Sequence, residues 1–175
     1  MLLFKDISNF QNTSDYLPIL TAAINTDLLF IFLLYHRYIN SPILEEWYNT
    51  FRISAVIADV LILVIGVIIT RFLYSFLFSS FSLIKFTILA VAVQITHDVL
   101  FYLLFTRIPK GYNYMIDFFK TYSNRSGYKA ILGDTVMMIL TCFFSSRFAT
   151  FNTNANIINL IVTSYFIPYM IYYRK

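Results

Sequence analysis

The chain has very little with which to build loops, disulfides or a charged surface. Its 175 residues include one cysteine, four glycines and four prolines. A lone Cys142 excludes an internal disulfide, a CxxC redox pair and a cysteine-based zinc site. It lies in an apolar run and reads as a buried, inert thiol. So few Gly and Pro leave little chain for long connections. Charged residues make up only 13% of the sequence, too few to coat a soluble domain of this size. There is no Gly-rich phosphate loop, no HExxH and no GxSxG. No serine stands in a recognisable nucleophile setting. We therefore expect no enzymatic activity, no cofactor and no nucleic-acid partner. The opening MLLFKDISNF carries Lys5 and Asp6 too early for a cleavable signal peptide.

What remains is apolar. Hydrophobic residues account for 59%, with 19 Phe and 14 Tyr, and the mean hydropathy is +0.69. These numbers predict a single all-α domain over residues 1–175, a polytopic transmembrane helix bundle. A spanning helix needs about 20 mostly apolar residues. The sequence offers five such spans: 17–36, 53–75, 84–105, 129–147 and 156–173. Pro18 suits the opening turn of the first. Spans two and three are separated only by Phe78-Ser79-Ser80-Phe81-Ser82, between Arg71 and Lys85, whose long side chains can snorkel to headgroups. The fifth, with Asn156, Asn159 and Pro168, is the weakest; four spans with a peripheral C-terminal segment is the alternative. Trp47 and Tyr48, beside Glu45 and Glu46, read as an interfacial anchor in the first loop.

The one sizeable connection is RIPKGYNYMIDFFKTYSNRSGYK. Tyr112, Met115, Ile116 and Phe119 fall at helical spacing there, with Asp117, Lys120 and Thr121 opposite. Asn113 can cap the start and Gly127 can close the end. The pattern predicts a short amphipathic helix over 113–124, lying in the membrane interface or packed on another part of the protein.

Five spans put the termini on opposite sides. Lys5, Arg71, Lys85 and Arg147 fall on one side. Arg37, Arg52, Arg107, Lys110, Lys120, Arg125, Lys129, Arg174 and Lys175 fall on the other. Basic loops stay in the cytoplasm, so we expect the N-terminus outside or lumenal and the C-terminus cytoplasmic. Asn12-Thr13-Ser14 is then a glycosylation sequon on the outer side, and Asn124-Arg125-Ser126 lies on the wrong side for use.

Each of the first four spans carries one carboxylate: Asp27, Asp59, Asp98 and Asp134. Counted from the cytoplasmic ends they lie at similar depth, about 9 to 15 Å below that face at 1.5 Å per residue. His97 joins this layer. Gln94 sits one turn from Asp98 on the same face. A charge at mid-membrane costs about 3 kcal/mol on insertion scales. Four of them cost on the order of 10 kcal/mol, comparable to a domain's whole stability. They must therefore point into the bundle and be protonated, paired or neutralised by a bound cation. Three uses follow: hydrogen-bonding glue that fixes helix register; a proton or cation path; or a metal site on His97 with two or more Asp residues. Neighbouring His97 and Asp98 point about 100° apart on a helix, which disfavours the last. We expect no bound metal.

The segments QITHDVLFY, IPKGYNYMIDFFKTY and GYKAILGDTVMMI resemble a set of small uncharacterised multi-pass membrane proteins encoded by large nucleocytoplasmic DNA viruses. The resemblance covers residues 90 to 140 and rests on His97, Asp98, Asp117, Lys120, Gly133, Asp134, Met137 and Met138. It implies a viral or host internal membrane and no reaction. Taken together, the sequence is read as a structural or assembly component of a viral or intracellular membrane. Its partners would be the bilayer, anionic lipid or a capsid or matrix protein at the basic face, and a second copy of the chain. A proton or cation channel or transporter using the Asp and His layer is the alternative.

Overall fold

The computed structural model describes residues 3 to 173; Arg174 and Lys175, counted above among the basic residues, lie outside that range. Seven helices account for most of the described chain: α1 Tyr16–Tyr35, α2 Pro42–Phe51, α3 Ile53–Leu77, α4 Leu83–Arg107, α5 Tyr114–Ser126, α6 Tyr128–Phe148 and α7 Thr153–Ile171. No strand occurs among the described residues. α1 with its preceding turn, α3, α4 and α6 are long and apolar enough to cross a membrane. The protein is a membrane-embedded all-α bundle, with helix boundaries within a few residues of the sequence reading.

α7 is not one of those four helices, because Asn154, Asn156 and Asn159 dilute its apolar run. It nevertheless runs alongside α1 over the same height. Its start is tied to the end of α6 by Asn156 Nδ2 donating to Phe148 O at 3.0 Å. Asn25 of α1 donates to Asn159 at 3.2 Å. Beyond its far end, Tyr173 stacks on His36, and Arg52 donates to Ile171 O at 2.9 Å. That bond satisfies a carbonyl that a helix C-terminus otherwise leaves open.

α1 is the most enclosed of the four long helices; it packs on α3, α6 and α7, while α4 closes against α3 and α6. The lipid-facing sides are read from what the bundle leaves out: Ile84, Ile88, Leu100 and Leu104 on α4, and Ile158, Ile161 and Phe166 on α7, are all exposed. In lipid this costs nothing, whereas in water it would be a severe liability. α3 packs against Met138 of α6 at Gly66. A Cβ there would lie 2.5 Å from Met138 Cε. The methionine tip can swing aside for one methyl group but not for an isobutyl group. Gly66→Leu is therefore expected to cost about 1 to 3 kcal/mol through overpacking, and Gly66→Ala much less, as read by thermal unfolding in detergent.

Two sequence expectations are corrected at the ends of the bundle. Arg71 does not snorkel outward. It is fully buried, beneath the segment that precedes α1. Its Nη2 donates to Asn12 O at 2.8 Å and to Asn9 O, stands 3.6 Å from Asp15, and its guanidinium lies over the Tyr16 ring. The segment before α1, folded back onto the helix ends, takes up the Arg71 side chain. The serine-rich break between α3 and α4 is where the sequence put it, held by Tyr74. The Tyr74 hydroxyl accepts from Ser82 N at 2.9 Å and donates to Ser80 O at 3.1 Å.

At the other end, Trp47 and Tyr48 are 2% and 1% exposed, not anchored in headgroups. They belong to α2, an element the sequence reading took for a loop. Pro42 opens this helix. Ile43, Trp47 and Phe51 follow at i, i+4 and i+8, so one face turns inward.

The helix expected over 113–124 forms as α5. Asn113 Oδ1 caps it by accepting from Met115 N and Ile116 N at 3.0 and 3.1 Å. Gly127 ends it at φ +53°, a left-handed value that favours glycine. Its apolar face packs on the bundle, as the second of the two expected settings had it. The packed residues are Met115, Phe118, Phe119 and Tyr122. Ile116 is only partly covered, and Tyr112 stands 80% exposed in the turn before the helix. Of the expected stripe, Met115 and Phe119 pack inward as read, whereas Tyr112 does not, because it precedes the cap and does not share the helical period.

Candidate functional site

Each carboxylate lies six to nine residues from the same end of its helix, which the α-helical rise converts to a common depth of about 9 to 14 Å. Asp59 of α3, Asp98 of α4 and Asp134 of α6 converge on one cavity of about 670 Å³. Gln94 and His97 line it as well, and the apolar walls come from Ala58, Ile62, Leu63, Ile131 and Met137. α2 and α5 cross its end and contribute Trp47, Tyr48, Phe119 and Tyr122. Their rings knit together: Trp47 lies 5.0 Å from Phe119, and Phe119 lies 5.1 Å from Phe101 of α4. Asp27 does not line the cavity. It sits behind Tyr48, 1% exposed.

The carboxylates differ in what they touch. Tyr48 donates its hydroxyl to Asp27 Oδ1 at 2.7 Å, and Oδ2 is buried without a partner. Trp47 Nε1 donates to Asp59 Oδ2 at 3.0 Å. Gln94 Nε2 donates to Asp98 Oδ1 at 2.8 Å, and His97 Nδ1 stands 3.2 Å from the same oxygen. Asp98 Oδ2 has no partner. Asp134 accepts no hydrogen bond among the described residues. Burial pushes the Tyr48 phenol well above the usual tyrosine range, and the nearby charges of Asp27 and Asp59 add to it. Tyr48 is therefore a fixed donor. Tyr122 is raised in the same way, by burial and by Asp134.

Among the described residues, none of these bonds joins one of the four long helices to another. That role falls to an uncharged pair, Thr141 of α6 donating to Thr26 of α1 at 3.2 Å, and Asn25 of α1 likewise meets Asn159 of α7. The glue is made by threonine and asparagine, while the carboxylates of α3, α4 and α6 face open space. The expected divergence of His97 and Asp98 also needs correction. Their Cβ atoms leave the helix in different directions, but both side chains curl into the same cavity. Even so, no three His, Cys, Asp or Glu side chains among the described residues are placed to hold a metal ion.

Sequence reasoning missed Trp47, Tyr48 and Tyr122 as parts of this site. For Trp47 a signal was present in the Ser41-Pro42 start and the i, i+4, i+8 spacing that follows, and Tyr48 is the next residue of the same helix. For Tyr122 it was the i+4 step from Phe118. Comparison with protein-family models, curated proteins and solved structures finds no match. The chemistry of the site therefore rests on its own geometry.

Proposed function

We propose that this membrane protein takes a cation into the cavity between α3, α4 and α6 and moves protons or cations across the bilayer. One observation supports this above the others: three carboxylates at one depth face a common space instead of bonding to a neighbouring span. Groups that served only as glue would be spent on partners. Ionisable side chains held inside a bundle, facing a cavity, are what ion and proton paths are made of. His97 adds an imidazole to the wall of the same cavity. Asp27, closed off by Tyr48, plays a structural part.

In this reading the end bearing Arg107, Lys110, Arg125 and Lys129 faces the cytoplasm. A second reading, a structural component of a viral or intracellular membrane, draws on those same exposed bases, which suit anionic lipid or an acidic partner. Reconstitution separates the two. Proteoliposomes holding a pH-sensitive dye should show cation-driven or proton flux that Asp98→Asn and Asp134→Asn abolish. No flux from well-folded protein would leave the structural reading standing.

A further inference from the structure

The lining of the cavity says which cations suit it. A bare metal ion needs several ligands converging within bonding distance, and no three acidic, His or Cys side chains do so among the described residues. The volume, about 670 Å³, is far larger than a metal ion or a single water, whose share of liquid is about 30 Å³. It falls in the range of organic-ligand sites, roughly 300 to 1,000 Å³. Trp47, Phe101, Tyr102, Phe105, Phe119 and Tyr122 line it, and such rings attract desolvated ammonium groups by cation–π interaction. No Lys or Arg lines it. The phosphate of a zwitterionic headgroup would meet carboxylates and no fixed cation. Asp98 leaves Oδ2 without a partner, and Asp134 leaves both oxygens free for a ligand.

We propose that this cavity binds an organic ammonium ion bearing apolar substituents, its charge held among Asp59, Asp98 and Asp134 and its substituents against the aromatic lining. This rests on the reading of the cavity as a cation site and narrows the cation's class.

The chain's single tryptophan, Trp47, lines the cavity and reports on it directly. Full-length protein in neutral detergent would be titrated with benzyltrimethylammonium while Trp47 emission is followed. Neopentylbenzene, the uncharged analogue of the same shape, and potassium chloride would be titrated in parallel. A saturable change with the ammonium alone is expected. Asp134→Asn breaks no hydrogen bond and should fold normally, yet weaken binding on the order of tenfold, the loss of one charge contact. Phe101→Leu, which removes a ring and no charge, should also weaken it. An equal response to neopentylbenzene would overturn the proposal. A saturable response to potassium with none to the ammonium would overturn it and leave the broader cation reading intact. Silence from all three probes would overturn the proposal and leave the broader reading to the flux assay.

Discussion

Replacing Arg71 with methionine is expected to destabilise the protein by about 3 kcal/mol, the low end for breaking a buried ion pair by removing one partner. The low end applies because Asp15 keeps other contacts: Lys5 Nζ at 2.9 Å and Asn12 Nδ2 at 2.8 Å. The guanidinium is also incompletely satisfied, with Nε and Nη1 unpartnered, so removing it relieves two open donor nitrogens. What is lost is the tie from Nη2 to the backbone of Asn9 and Asn12. The segment before α1 would then be held by Lys5 and Ser146, which exchange backbone and side-chain bonds at 3.1 and 2.6 Å. Limited proteolysis at Lys5, slow in the parent protein, should become fast in Arg71→Met. Unchanged cleavage and stability would show that the buried arginine is dispensable.

Tyr48→Phe should cost about 2 to 3 kcal/mol. It deletes one hydroxyl and leaves the Asp27 carboxyl, almost fully buried, without any partner, which is the expensive way to lose a hydrogen bond. Removing both groups is far cheaper than removing one. Tyr48→Phe combined with Asp27→Leu should therefore recover most of the loss, giving a coupling of about 2 kcal/mol in a double-mutant cycle. Additive single losses would mean that the bond at 2.7 Å carries no weight. The fixed-donor role of Tyr48 adds a pH signature. Its pKa is raised in the folded state, so its contribution is intact below the unfolded tyrosine value of about 10 and is lost as pH climbs beyond it.

The long helices were legible because nothing interrupts them. Ile53–Leu77 holds one glycine and no proline, and a run of that length and apolarity has few alternatives to a membrane helix. The depth of the acidic residues was legible for the same reason, since helical rise turns sequence position into height. Which way each side chain turns was not. Position alone gave all four carboxylates one role, whereas packing sends Asp27 to Tyr48 and leaves Asp134 facing the cavity. That sorting depends on α2, only ten residues long, whose weak local signal was masked by its place between two strong spans. Arg71 misled for a related reason. Its fate is set by a segment more than fifty residues earlier, and no local pattern records that contact.

The central claim is that the carboxylates of α3, α4 and α6 face a space that a charged solute can enter. Cys142 is the only cysteine and is buried, so the parent protein provides a silent background for thiol labelling. Asp134→Cys should react readily with a small cationic methanethiosulfonate from water, and benzyltrimethylammonium should slow the reaction. A companion variant at exposed Ile88 on the outer face of α4 should resist the same charged reagent in lipid. Labelling of Asp134→Cys no faster than that of Cys142, in folded protein, would contradict the account.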